Sequence, residues 1–251
     1  MRQPVLAACL LLSWAALAQA APVTPTPPEY LVELGENTLP GVIGRDPGSY
    51  TSSGGRTTGS VAGAPVALVS AASNSVAGDF SVAGSSTSAA ARLFYSVAVN
   101  GPADGVLVPL FAATRLHADS TTPGSFTTRA SASLGISNTT GAFQLLLNTD
   151  FNSPLPGTDF TGTLAFTQRS GSLSQIALQA VTTANGGGRS AASVDPFFFI
   201  DPEFLAANPG YSVSVSAGVV NAVPAPPALS LLATGLVPLV LGRLRRRRVS
   251  P

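Results

Sequence analysis

At 251 residues the chain is long enough for one large all-β domain or two small ones, with a well-buried core. Its formal charge of +1 hides an asymmetry, because five of the thirteen basic residues crowd into the last nine positions. Residues 21–222 hold seven arginines, no lysine and all twelve carboxylates, a net of −5, which argues against nucleic acid as a partner; the sparse charge among Ser, Thr, Ala and Gly suits secreted adhesive or matrix proteins better than metabolic enzymes.

The first twenty residues combine a basic start at Arg2, an apolar stretch from Val5 to Leu17, and small residues Ala18 and Ala20 on either side of Gln19. That pattern predicts a secretory signal helix over 1–20, read by Sec-type export machinery and cut by signal peptidase after Ala20. The apolar run is short for a bilayer span, and Pro22, Pro25, Pro27 and Pro28 stop any helix from continuing. The only cysteine, Cys9, lies inside this segment, with too little apolar chain before it for a lipoprotein box. Once residues 1–20 are removed no thiol remains, so disulfides, thiolate metal sites and a cysteine nucleophile are all excluded from the mature chain.

From residue 21 to about residue 90 the composition is rich in Pro, Gly, Ser, Thr and Ala, and predicts a low-complexity segment with uncertain strands. Three Ser-Val-Ala-Gly copies, starting at Ser60, Ser75 and Ser81, are too unevenly spaced for a solenoid. Beyond it, Leu93, Tyr95, Val97 and Val99 alternate with Phe94, Ser96 and Ala98 before the turn Asn100-Gly101-Pro102, which is a strand and its stop. After a second turn at Asp104-Gly105, strands are predicted at Val106 to Phe111, Thr127 to Ile136, Ala142 to Leu147, Thr161 to Thr167, Leu173 to Thr182 and Tyr211 to Ala217. Short alternating segments with turn residues between them, and no long amphipathic helical pattern, predict an antiparallel β-sandwich of jelly-roll type over residues 91–222, able to draw in part of 21–90.

The run Asp195-Pro196-Phe197-Phe198-Phe199-Ile200-Asp201-Pro202 brackets four large apolar residues between two Asp-Pro turns. A short buried strand near a sheet edge is the plain expectation, with core packing for the rings. The alternative is an aromatic platform that stacks on sugar rings, making the body a glycan-binding or carbohydrate-active module. No hydrolase elbow, phosphate loop, dinucleotide fingerprint or zinc-binding histidine pair occurs, and the single histidine, His117, fits a surface strand. Asp195, Asp201 and Glu203 are close enough in sequence to suggest glycoside hydrolysis, but the Asp-Pro contexts favour turns. No catalytic, metal or cofactor residue is assigned, and a non-enzymatic protein is expected.

The C-terminus has three parts in order: Val223-Pro224-Ala225-Pro226-Pro227, an apolar run from Ala228 to Leu241 that predicts a short hydrophobic helix, and then Arg243, Arg245, Arg246, Arg247 and Arg248. Eight Leu and Val residues favour the bilayer by only about 2–5 kcal/mol, whereas each arginine costs roughly 2.5–3.5 kcal/mol at its centre. The arginines therefore stay on the cytoplasmic side, and an extended Pro-rich stretch is held just outside the inner membrane.

This tail resembles the PEP-CTERM sorting signal of Gram-negative bacteria, carried here by Val223, Pro224 and Pro226, by Gly235 and Leu236 in the apolar run, and by the arginine cluster. Ala225 stands where that signal usually has glutamate. The resemblance covers residues 223–251 and implies recognition by a membrane enzyme of the exosortase family, transient anchoring in the inner membrane, and delivery to the cell surface or an exopolysaccharide and biofilm matrix. A permanently anchored single-pass protein is the competing expectation.

Overall fold

The computed structural model describes residues 21–36, 39–64, 66–75, 86–121, 128–149 and 158–221. The signal helix expected over 1–20 and the hydrophobic helix expected after Val223 lie outside these residues. Among them no helix is long and apolar enough to cross a membrane.

The described chain is all-β, with two antiparallel sheets packed face to face. The strands are β1 (Glu29–Glu36), β2 (Leu39–Gly44), β3 (Gly48–Thr51), β4 (Thr57–Ala62), β5 (Leu68–Asn74), β6 (Ser86–Asn100), β7 (Leu107–Thr121), β8 (Arg129–Asn138), β9 (Gly141–Asn148), β10 (Thr158–Arg169), β11 (Leu173–Asn185), β12 (Arg189–Ile200) and β13 (Ser212–Val215); the one helix among the described residues is α1 (Pro202–Ala207). One sheet runs β2-β1-β6-β11-β8-β9, with β13 also paired to β6, and the other runs β10-β7-β12-β5-β4-β3. From β5 to β12 every connection crosses between sheets except that from β8 to β9.

Period-two alternation explains the packing. On β6, Leu93, Tyr95, Val97 and Val99 point inward while Arg92 and Phe94 point out; on β7, Val108, Leu110, Ala112 and Leu116 do the same opposite Pro109, Phe111, Ala113 and Arg115. Large side chains fill one end of the interior, where Phe198 meets Tyr95 and Phe166 edge to face at 6.3 and 6.2 Å. Toward the other end the core narrows to Ala89, Ala91, Ala130, Ala132, Ala180 and Ala192. There the sheets come close enough for Ser73 on β5 and Thr182 on β11 to share a buried hydroxyl hydrogen bond of 2.8 Å. Small residues that look like low complexity in the sequence are thus what lets the two sheets close.

The segment 21–90, whose strands the composition left uncertain, contributes five strands and the start of a sixth; β1 pairs with β6 and β5 with β12, while β2, β3 and β4 pair among the early strands. One expectation is corrected here. The segment from Asp195 is not a short strand near a sheet edge: it is the second half of the twelve-residue β12, which lies inside its sheet between β7 and β5. Asp195-Pro196 makes no turn, and pairing to β7 runs through it from Arg189 to Ile200. Proline is tolerated because the ladder with β5 ends at Val194, so Pro196 falls where β12 has become a local edge.

The first and last of the described residues are tied to this frame. On the outer face of β6, Val23 donates its N–H to Asn100 Oδ1 at 2.8 Å and Thr26 donates to Ser96 Oγ at 2.7 Å. Ser216 Oγ in turn donates to the Thr26 carbonyl and accepts from the Ser96 N–H at 2.8 Å. This clasp buries Ser96 and Ala98 on a face that would otherwise be wet. Further on, Val220 donates to the Gly63 carbonyl, and the Asn221 carboxamide spans the local edge of β12, accepting from Phe198 N–H at 2.8 Å and donating to its carbonyl at 2.7 Å.

Candidate functional site

The tripeptide Phe197-Phe198-Phe199 divides by strand alternation. Phe198 is 1% exposed in the core, whereas Phe197 and Phe199 stand half-buried on the outer face of their sheet. Phe199 lies 5.4 Å from Phe111 of β7, and Phe197 stacks on Phe199 at 5.6 Å with planes 17° apart. The core expectation therefore holds for the middle ring only. The outer rings spend their faces largely on one another, so this row offers ring edges rather than a broad platform for a sugar.

Charged groups border the row. Cross-strand register places Arg115 opposite Asp195 and His117 opposite Asp159. The His117 Nδ1 lies 2.7 Å from Asp159 Oδ1, which makes His117 the surface strand histidine that the sequence suggested. Burial beside the phenylalanines pushes the Asp195 carboxyl above the usual carboxylate range, against the opposing pull of the Arg115 guanidinium and a hydrogen bond from the Arg115 backbone. Burial also raises the hydroxyls of Tyr95 and Tyr30.

The other two carboxylates singled out in the sequence have separate work. Asp201 is the N-cap of α1, its Oδ1 accepting from Glu203 N–H at 2.9 Å, with Pro202 and Glu203 in the first turn. Asp-Pro-Glu is a helix-start signature, and it was the available sign of this helix. Asp195 faces Arg115 across the ladder, so the three carboxylates are not arranged as one catalytic set. Among the described residues no group of three or more His, Cys, Asp or Glu side chains is placed to hold a metal ion.

On the opposite side of the molecule, the outer face of the β6-β11-β8-β9 sheet carries a depression of about 460 Å³ that the sequence did not suggest. Its floor is Gly135 of β8 beside Ala177 of β11, register neighbours in one cross-strand row that continues to Gln144 of β9 and Phe94 of β6. Ser137 and Gln175 form the adjoining row. Phe94 is 41% exposed. The only sign of this site in the sequence was the placing of Phe94 and Gln175 on outward positions of predicted strands, and the cross-strand register that unites them is not a local property.

The residues of the sorting reading, Val223, Pro224, Pro226, Gly235, Leu236, Arg243, Arg245, Arg246, Arg247 and Arg248, and of signal cleavage, Ala18 and Ala20, lie outside the described residues. No family model matches the chain, and no curated protein matches it either.

Proposed function

We propose that this chain is an exported, non-enzymatic surface or matrix protein that an exosortase-type enzyme releases from a transient inner-membrane anchor, and that it associates with exopolysaccharide. The observation that carries this reading is the order of Pro motif, apolar run and arginine cluster from Val223 to Arg248, behind a secretion signal that ends at Ala20. The fold is in keeping with it. Val220 and Asn221, the last of the described residues, are hydrogen-bonded to the body and stand immediately ahead of the Pro motif in the sequence. We read the body as a jelly roll, supported by the order β5-β12-β7-β10 in one sheet against β6-β11-β8-β9 in the other.

Deleting the exosortase-family enzyme of the host tests the reading. The chain should then accumulate in the inner membrane with its arginines attached, and disappear from the surface and medium. Unchanged release in the deletion strain would overturn the proposal.

A further inference from the structure

The depression on the outer face of the β6-β11-β8-β9 sheet has the chemistry of a binding site rather than of a gap in packing. Its floor is low because the two residues at its centre, Gly135 and Ala177, are the smallest available, while longer side chains surround them. Phe94 stands at one end of the row and Gln144 at the other, with Gln175 and Ser137 alongside. The side chains of Gln144, Gln175 and Ser137 make no hydrogen bond to any described residue, so two carboxamides and a hydroxyl remain open to a ligand. Among the described residues no ionisable side chain lines the depression.

We infer that this depression binds a neutral saccharide, one or two pyranose units of a polysaccharide chain, with a sugar face against the Phe94 ring and its hydroxyls on Gln144, Gln175 and Ser137. Each property of the site selects that class. The lack of charge disfavours phosphorylated or uronic ligands, which need cationic partners to offset their desolvation. Strands β8 and β11 are paired on both sides, so a peptide cannot add to them as an extra strand. The amide and hydroxyl rim is too polar for an acyl chain, and the patch is far smaller than the roughly 800 Å² per partner of a stable dimer. A volume of about 460 Å³ falls within the range of small-molecule sites and leaves the trough open at the surface for a longer chain to pass. This inference deepens the association with exopolysaccharide and rests on it, but it is independent of the sorting tail.

The test is affinity electrophoresis and titration calorimetry of the chain as exported by its host, against a panel of neutral glucans, galactans and mannans, the acidic polymer polygalacturonate, and the host's own exopolysaccharide. Binding of at least one neutral polymer is expected. Phe94→Ala should weaken it about tenfold or more, Phe94→Trp should keep it, and Phe199→Ala should leave it unchanged. Since Phe94 is solvent-exposed, the melting temperature of Phe94→Ala should stay near that of the parent, which separates lost binding from lost folding. Neutral-polymer binding that survives Phe94→Ala, or that Phe199→Ala abolishes, would overturn this site while leaving the polysaccharide association standing. No binding to any polymer, binding to polygalacturonate alone, or a Phe94→Ala effect only on self-association would overturn the inference outright.

Discussion

Adjacent phenylalanines in β12 should differ sharply in what they contribute. Phe198 is 1% exposed and meets Tyr95 and Phe166 edge to face, so truncating it removes a buried ring and opens a cavity between two sheets that small residues elsewhere already hold together. Phe198→Ala should cost about 3–5 kcal/mol. At about 2–4 °C per kcal/mol for a body of this size, that lowers the melting temperature by roughly 6–20 °C. Phe199 keeps part of its ring in water and loses only its contacts with Phe111 and Phe197, so Phe199→Ala should cost about 1–2 kcal/mol. Far-UV circular dichroism during urea unfolding is the suitable assay, because the sole tryptophan, Trp14, lies in the predicted signal. Equal losses, or a larger loss for Phe199→Ala, would mean that β12 is displaced by one residue and the assigned core face is wrong.

The edge of β12 should depend on the C-terminal tie: Asn221→Ala strips both bonds from the Phe198 backbone and should cost about 1–3 kcal/mol in the same unfolding assay. Gly63 packs against the Gly218 carbonyl and the Tyr30 hydroxyl, so Gly63→Val should destabilise by about 1–3 kcal/mol and raise amide exchange across residues 216–221. Asp195 has a folded pKa above its unfolded value, so its contribution to stability is fully present below the unfolded pKa and is lost as pH rises through the folded pKa. Parent stability measured against Asp195→Asn should therefore decline from acid toward neutral pH, by less than about 1 kcal/mol because the group is partly solvated; a relative gain on raising the pH would refute the burial argument.

How much was legible in the sequence follows from how local each signal is. Strands with large inward residues, such as Leu93 to Val99, declare themselves by alternation, and their turns follow at Asn100 and Asp104. Strands such as β4 and β5 pair Ala, Ser, Thr and Gly against similar residues, and their pattern is faint although Val61, Val69 and Ala71 point cleanly into the core. That is why residues 21–90 read as low complexity. The Phe run was visible, but the division between Phe198 inside and Phe197 and Phe199 outside needed the strand's phase. Pro196 misled for a related reason: proline excludes a fully paired strand, and β12 is paired on both sides only up to Val194. The depression under Phe94 was least legible of all, because its residues come from four strands brought together by register alone.

The central claim, export with processing at both ends, is met most directly by the intact mass and C-terminal peptide map of the protein recovered from the surface or medium of its host. The expected product begins at Ala21 and ends between Pro224 and Pro227. A product held in the inner membrane and still carrying Arg243 to Arg248 would contradict it, and would make the chain a permanently anchored protein instead.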